Sequence, residues 1–157
     1  MNEPIIDVQE LTRSFGDVSV LRGIDLPINK GMVTTIIGAS GSGKSVLVKH
    51  IIGLLSPNSG RILFEGKDMI KMNRKELVQI RRDFGMLFQQ SALFDSMTTE
   101  ENISFPLIEH TKYSRKKIRR IVAEKLEILG LAGTEKRYPS ELSGGMQKRV
   151  ALARAIV

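Results

Sequence analysis

The segment from Gly38 to Ser45 reads GASGSGKS, and it constrains the fold of this 157-residue chain more than any other stretch. It matches the pattern G-x-x-x-x-G-K-[ST]. It stands between the β-branched apolar run Met32–Ile37, which predicts a buried strand, and a run with helical spacing from Lys44 to Leu55. A strand, a glycine-rich loop and a helix in this order are typical of a phosphate-binding unit. We therefore expect an α/β fold that holds a nucleoside triphosphate at this loop.

Each residue type in the loop has a chemical reason to be there. The glycines allow the backbone to curve so that successive N–H groups point at phosphate oxygens, and the start of the following helix favours the same negative charge. Lys44 supplies a mobile positive charge for the β- and γ-phosphates, and the Ser45 hydroxyl is suited to bind Mg²⁺. The predicted phosphate-contacting residues are Gly38, Ala39, Ser40, Gly41, Ser42, Gly43, Lys44, Ser45 and Val46.

The remaining pattern places strands in the first half of the chain and only helices in the second. Further strands are predicted at Ile5–Phe15 and Val18–Ile28, as an antiparallel pair, and at Arg61–Glu65 and Phe84–Phe88. Helices are predicted at Asn73–Arg81, at Ser114–Leu129, and from Gly144 onward with Ser143 as N-cap, and Thr98 with Glu101 predicts a capping box.

Composition narrows the class of partner. The chain has 24 Lys and Arg against 17 Asp and Glu, a formal net charge of +7, which favours anionic partners. It has no cysteine, so disulfides and thiolate metal sites are excluded. The first ten residues, MNEPIIDVQE, lack the pattern of a secretory signal, and no apolar run reaches the ~20 residues that a membrane span needs. We therefore expect a cytoplasmic protein.

A second motif identifies the class of phosphate-loop protein. LSGGM at Leu142–Met146, followed by QKRVALARA, resembles the signature segment of ATP-binding cassette (ABC) ATPases. Gln89, after FGMLF, resembles the Q-loop of that family, and Phe15 stands where the family places an aromatic ring under adenine. The resemblance implies a P-loop NTPase (RecA-like) core with an N-terminal antiparallel β-subdomain and an inserted α-helical subdomain. It assigns 1–157 to the N-terminal portion of one ABC ATPase domain, with the β-subdomain and P-loop core in 1–89 and the helical subdomain in 90–157.

The resemblance also implies roles for residues and partners. Lys44 and Gln89 are assigned to catalysis, Ser45 and Gln89 to Mg²⁺, and Ser143, Gly144 and Gly145 to ATP held by an opposing subunit. The implied cofactors are ATP and Mg²⁺. The implied partners are a second ATPase subunit and transmembrane permease subunits, with no nucleic acid, which places the chain on the inner face of a bacterial cell membrane.

The cargo is implied by finer details. MLFQQSALFDSMTTEENISFPLIEHT and PSELSGGMQKRVALARAI look like the ATPase of Mce-type phospholipid transporters. An amino-acid importer ATPase, a cassette acting on nucleic acid or ribosomes without a membrane partner, and a nucleotide-binding module without turnover stay open as alternatives. In the family an apolar strand ending in Asp-Glu and a later histidine follow the signature, and neither is found by Val157. We therefore expect the C-terminal part of the core to be missing, with the chain alone inactive in hydrolysis and an exposed apolar edge at Ile36 and Ile37.

Three further features of the sequence predict how exposed particular side chains are. The basic run from Arg115 to Arg120 favours a solvent-exposed helix surface, with attraction to anionic headgroups as the alternative. Leu93, Phe94, Met97 and Phe105 are expected to be exposed, where the family's ATPase receives a helix of the permease. His50 is expected to be a partly buried packing residue, and His110 to lie in a loop.

Overall fold

The structure is a computed structural model that describes residues 4–157. The chain forms two compact units, Met1–Phe84 and Gly85–Val157. We refer to them as the sheet unit and the helical unit. The assignment of 1–89 and 90–157 to family subdomains stays a prediction.

The sheet unit is built on four antiparallel strands in the order β2-β1-β3-β4. Their bounds are Ile6–Phe15 (β1), Val18–Ile28 (β2), Ser59–Phe64 (β3) and Lys67–Asp68 (β4). β1 is the central partner of β2 and β3, and it buries Ile6, Val8 and Leu11. The predicted antiparallel pair is confirmed with a shift of one residue at its start. Ile5 lies outside β1, although its amide donates to the Ile28 carbonyl at 2.9 Å.

Two α-helices complete the sheet unit, α1 at Lys44–Ile51 and α2 at Arg74–Arg81, together with a short 3-10 helix at Met69–Lys71. α1 ends before the predicted Leu55 because Gly53 has a φ of +69°, a left-handed conformation that terminates helices. Leu47 and Ile51 of α1 are buried in the same core as β1. His50 is fully buried rather than partly buried, with its Nδ1 2.7 Å from the Val46 carbonyl oxygen.

The two strands predicted at Met32–Ile37 and Phe84–Phe88 are absent from the described residues. Both runs lack regular secondary structure and sheet pairing, because a β-branched or aromatic run forms a strand only when a neighbouring segment accepts its backbone hydrogen bonds. Val33 and Ile37 are 94% and 90% exposed, so the expected apolar exposure is observed for Ile37. Ile36 is half-buried against the core of the sheet unit.

The helical unit contains α3 at Thr99–His110, α4 at Arg115–Ile128 and α5 at Gly144–Ala155. Ser143 is the N-cap of α5 and Thr98 with Glu101 forms a capping box, as predicted, whereas Ser114, predicted as the first residue of its helix, is the N-cap of α4. His110 is the last residue of α3 and not a loop residue, because the capping box starts a helix that continues through Pro106. The buried core joins all three helices through Ile103, Val122 and Val150. No helix in residues 4–157 is long and apolar enough to cross a membrane.

Candidate nucleotide-binding site

The phosphate loop leads from an exposed run into α1. Gly43 is the N-cap of α1 with a φ of +91°, and Gly41 has a φ of +80°. These left-handed conformations favour glycine. At Gly43 space is also restricted, because a Cβ there would lie 3.0 Å from a Val20 methyl carbon and 3.2 Å from Leu21 Cδ2. Gly43 therefore fixes the loop against β2, which places the first amides of α1 at the surface.

Lys44 is folded back over its own loop. Its ammonium donates to the carbonyl oxygens of Gly38 and Ala39, each at 2.7 Å, and to the Ser42 hydroxyl at 3.4 Å. Carbonyl oxygens are weaker partners for an ammonium than phosphate oxygens, because phosphate carries a full negative charge. The lysine is thus placed to exchange these contacts for a triphosphate that enters the loop.

The loop fits a magnesium-bound triphosphate in its donor chemistry. Ser45, in the first turn of α1, is exposed, so its hydroxyl is accessible to a cation held by phosphate oxygens. Val46 packs its side chain against the core of the sheet unit, which leaves only its backbone for a ligand. Residues 4–157 contain no cluster of three or more His, Asp or Glu side chains that could hold a metal ion without the nucleotide. The first turn of α1 contains no acidic residue to repel phosphate.

Phe15 ends β1 and is 44% exposed, as a ring that stacks on a base requires. The guanidinium of Arg13 lies 4.6 Å from the centre of the ring, so one face is already covered by a cation. The remaining face is the one that a purine ring would use, and the arginine on the opposite face holds the ring in place.

The signature segment begins α5. The Ser143 hydroxyl oxygen accepts from the Met146 amide at 3.3 Å, and Ser143, Gly144 and Gly145 are all exposed. A Cβ added at either glycine would meet nothing within 4 Å, so open space lies in front of the helix start. Gln147 donates to the carbonyls of Pro139 and Leu142 at 2.9 and 3.3 Å, which anchors the segment before the helix. The arrangement is an exposed, anion-accepting helix N-terminus with no acidic residue in its first turn.

Gln89 lies in an exposed turn of the helical unit. The segment that follows it is held from two helices. Asn102 of α3 is fully buried, and its amide nitrogen donates to the Phe94 carbonyl at 3.1 Å while its oxygen accepts from the Phe94 amide at 2.9 Å. Arg154 of α5 donates to the Ala92 carbonyl at 2.8 Å. Sequence reasoning missed both residues, because an asparagine and an arginine within helical runs carry no motif that distinguishes them from surface residues.

A groove of about 810 Å³ lies between α3 and α4. The groove is lined by apolar side chains, among them Met97, Phe105 and Ile108, and also by the cationic side chains of Arg115, Arg119 and Lys136. Of the four apolar residues expected to be exposed, Phe94 is 40% exposed. The expectation is wrong for Leu93, Met97 and Phe105, which are half-buried, since Leu93 and the rings of Phe94 and Phe105 pack within the helical unit.

The basic run lies on α4 with all of its charged side chains exposed, which confirms the favoured interpretation of a solvent-exposed surface. Part of it is paired within the helical unit. Arg119 lies 3.4 Å from Glu100, and the ammonium of Lys117 lies 3.4 Å from the centre of the Tyr113 ring. Attraction to anionic headgroups stays a prediction.

Comparison with known protein families and sequences gives a consistent result. The family model described as "ABC transporter" matches residues 21–157. The probable ribonucleotide transport ATP-binding protein mkl of Mycobacterium leprae is 51% identical over 152 residues, covering 97% of this chain and 44% of that protein. The intermembrane phospholipid transport system ATP-binding protein MlaF of Haemophilus influenzae is 47% identical over 156 residues, covering 99% of this chain and 59% of that protein. The chain therefore spans about half the length of these curated relatives.

Solved structures agree on the fold. A dimeric post-hydrolysis structure of the ATP-binding cassette MJ0796, bound to ADP and Pi, is similar with a TM-score of 0.87 and 33% identity, over 96% of this chain and 68% of that one. CbiO1 of Clostridium perfringens, described as part of the ABC transporter complex cbiONQ, gives a TM-score of 0.85 at 34% identity, over 99% of this chain and 62% of that one. The similarity confirms the predicted fold class, a phosphate-loop α/β fold with an N-terminal antiparallel sheet and a helical region.

Proposed function

We propose that this chain, which belongs to the ABC transporter family, binds ATP with Mg²⁺ at Gly38–Ser45 and forms part of a subunit that energises phospholipid transport. The observation that carries the proposal is the position of Lys44, whose ammonium lies over the loop at 2.7 Å from two carbonyl oxygens. Hydrolysis is proposed for the protein that contains this chain, because the chain spans about half the length of its curated relatives.

The residues of the sheet unit are proposed to bind nucleotide in three parts. The exposed ring of Phe15 stacks on adenine, the loop amides and Lys44 hold the phosphates, and the Ser45 hydroxyl binds Mg²⁺. Gln89 of the helical unit is proposed to position the attacking water and to touch the metal. Mg²⁺ supplies charge neutralisation at the phosphate oxygens, and the chain supplies the orientation.

The signature at Ser143–Gly145 is proposed to act on ATP held by a second ATPase subunit. Its support is the exposed start of α5, where the two glycines leave open space in front of backbone amides. A phosphate bound there would be shared between two chains, so ATP would join the subunits and hydrolysis would release them. The related cassette MJ0796 was solved as a dimer bound to ADP and Pi, which is consistent with this arrangement.

Replacement of Ser143 tests the signature. Ser143→Arg fills the space in front of the helix, so we expect ATP binding to be retained and ATP-driven dimerisation, measured by analytical ultracentrifugation of the protein that contains this chain, to be lost. Ser114→Arg is the matched control, because Ser114 caps α4 through the same contact, with its hydroxyl accepting from the Lys117 amide at 3.3 Å. Dimerisation that survives Ser143→Arg, or that is lost equally in Ser114→Arg, would contradict the proposal.

The groove between α3 and α4 is proposed to receive a helix of a transmembrane permease subunit, which would hold the protein at the cytoplasmic face of the membrane. Its support is the volume of the groove, about 810 Å³, and a lining that includes the half-buried Met97 and Phe105 and the exposed Ile108. CbiO1, described as part of a transporter complex, is consistent with assembly of this kind.

The names of two relatives give two candidate cargoes. MlaF is named as a phospholipid transport protein and mkl as a probable ribonucleotide transport protein. We propose phospholipid, because the run from Met86 to Thr111 looks like Mce-type ATPases. Reconstitution of the assembled transporter in vesicles, with a labelled phospholipid or a labelled ribonucleotide, tests this. ATP-dependent movement of the phospholipid is the expected result, and movement of the ribonucleotide alone would overturn the cargo.

A further inference from the structure

The segment Gly85–Ala92, which contains Gln89, lies against the last turn of α5 at both of its ends. At the first end, a Cβ on Gly85 would collide with the carbonyl oxygen of Ala155, so only glycine permits this approach of the two backbones. At the second end, Arg154 donates to the carbonyls of Ser91 and Ala92 at 3.1 and 2.8 Å. We call Gly85–Ala92 the Gln89 segment.

The second attachment holds a strained backbone. Ser91 and Ala92 have φ values of +60° and +47°, left-handed conformations that cost roughly 1–2 kcal/mol for each non-glycine residue. Such conformations persist only where the surrounding structure holds them. One nitrogen of the Arg154 guanidinium, Nη2, donates to both strained carbonyls at once, and hydrogen bonds from a charged donor are stronger than those between neutral groups.

Arg154 is itself fixed by its neighbours. Its Nη1 donates to Asn102 Oδ1 at 3.4 Å, and its guanidinium carbon lies 5.5 Å from the centre of the Phe94 ring. Burial lowers the pKa of Arg154 from its ordinary value, but an arginine remains charged throughout the ordinary pH range. Arg154 of α5 therefore contacts Asn102 of α3, the Phe94 ring and the carbonyls of Ser91 and Ala92.

We infer that Arg154 is a positioning residue that ties the Gln89 segment to α5, so that a displacement at the Ser143 end of the helix moves Gln89 and Phe94. α5 has 12 residues and spans about 18 Å, with the signature at its first turn and Arg154 in its last. The inference rests on the proposed function, because it assigns Ser143–Gly145 and Gln89 to one catalytic cycle.

The inference separates binding from turnover. Lys44 and the phosphate loop belong to the sheet unit, so loss of Arg154 leaves the contacts that hold ATP in place. It removes the support of Gln89, which is proposed to position the attacking water. We therefore expect Arg154→Met in the assembled transporter to leave the KM for ATP unchanged and to lower kcat for hydrolysis and transport by about 10-fold or more, the usual scale for a lost charged hydrogen bond.

Hydrogen exchange measures the attachment directly. In Arg154→Met we expect the amides of Gln89–Phe94 to exchange about 10-fold faster. Local opening of this segment then costs less free energy, because it no longer has to break the hydrogen bonds to Arg154. Arg149→Met is the matched control on the same helix, since Arg149 donates to the Leu129 and Gly130 carbonyls at 2.8 and 3.3 Å. It should accelerate exchange near Gly130 and leave Gln89–Phe94 unchanged. Arg154→Lys, which keeps the charge but cannot contact Asn102 and the two carbonyls through separate nitrogens, should be intermediate.

The wild-type chain keeps the inference testable if the variants do not fold. The amides of Ser91 and Ala92 should then open together with the last turn of α5, at one common rate. Independent, faster exchange of Ser91 and Ala92 would overturn the inference, as would an unchanged kcat in Arg154→Met. Loss of ATP binding by the wild-type chain would overturn the proposed function instead, while the common exchange rate would still stand.

Discussion

α1 and α5 both begin with glycine-rich segments, yet their first turns are built differently. α1 starts from Gly43, which offers no side chain to its amides, and its loop carbonyls are occupied by the Lys44 ammonium. α5 starts from Ser143, whose hydroxyl already accepts from the Met146 amide, and its first turn, 144–147, contains no lysine or arginine. The first helix start therefore carries its own positive charge, whereas the second presents only backbone dipoles and a hydroxyl.

This difference indicates that the two helix starts contribute unequally to the free energy of binding a triphosphate. A site with a lysine can hold a triphosphate alone, because the ammonium forms charge-assisted contacts. A helix start without a lysine contributes less, since a helix dipole is worth about 0.3–1 kcal/mol at an exposed surface. We therefore expect the start of α1 to determine affinity for ATP and the start of α5 to act only once ATP is held by another chain.

Gly43→Ala should have the largest effect on the sheet unit. The substitution forces a left-handed conformation on alanine and places its Cβ 3.0 Å from a Val20 methyl carbon, so we expect a loss of about 2–5 kcal/mol in the free energy of unfolding and loss of ATP binding. Urea unfolding measures the loss. Gly41→Ala is the control, because nothing lies within 4 Å of its added Cβ and only the backbone conformation is strained. Equal losses in the two variants would contradict the close contact at Gly43.

Asn102→Ala should have the largest effect on the helical unit. It leaves the amide and carbonyl of Phe94 and the carbonyls of Met97 and Thr98 without their side-chain partner, which should cost about 2–3 kcal/mol. Urea unfolding again provides the measurement. Ser104→Ala, a buried polar residue on the same helix, should cost less. An Asn102 variant as stable as the Ser104 variant would mean that the segment before α3 is not held by this amide.

Ser143→Ala and Ser114→Ala sharpen the comparison between helix starts. Each removes one N-cap hydroxyl in the helical unit, so each should lower the free energy of unfolding by about 1 kcal/mol. Only Ser143→Ala should also weaken ATP-driven dimerisation, measured by analytical ultracentrifugation of the protein that contains this chain. A dimer weakened to the same degree by both variants would indicate a general loss of stability.

The smallest effect is expected at Glu101. Hydrogen bonds from the Thr98 amide and hydroxyl lower the pKa of this carboxyl below its ordinary value. A lowered folded pKa means that the stabilisation is complete above the ordinary carboxyl range, about 4.3, and is lost as pH falls through the folded pKa. Thermal unfolding of Glu101→Gln and the wild type should therefore differ more at pH 7 than at pH 3. Glu109→Gln on the same helix is the control, and an equal difference at both pH values would contradict the capping role.

Much of the local structure could be predicted from the sequence, because its causes are local. Thr98 and Ser143 cap their helices as expected, since a side-chain oxygen three residues before an amide is sufficient. Met32–Ile37 could not be predicted correctly, since a strand depends on a neighbour that local sequence does not reveal.

In the candidate site, too, features with local causes could be predicted from the sequence and features that depend on distant residues could not. The phosphate loop could be predicted because its tight backbone needs glycine at particular positions. Gly41 and Gly43 adopt left-handed conformations that favour glycine, and these glycines are visible in the sequence. Arg154 could not be predicted, because its role comes from contacts with Ser91 and Ala92, more than sixty residues away in the chain and visible only after folding.

The affinity for Mg-ATP of the wild-type chain, Lys44→Met and Lys49→Met, measured by isothermal titration calorimetry, tests the central claim most directly. Lys49 lies on the same helix and is exposed, so it controls for a change of charge near the loop. We expect Lys44→Met to weaken ATP binding by about 10- to 100-fold, the value of a charged hydrogen bond to phosphate, and Lys49→Met to leave it unchanged. Equal affinities for wild type and Lys44→Met, or no ATP binding by the wild-type chain, would contradict the account.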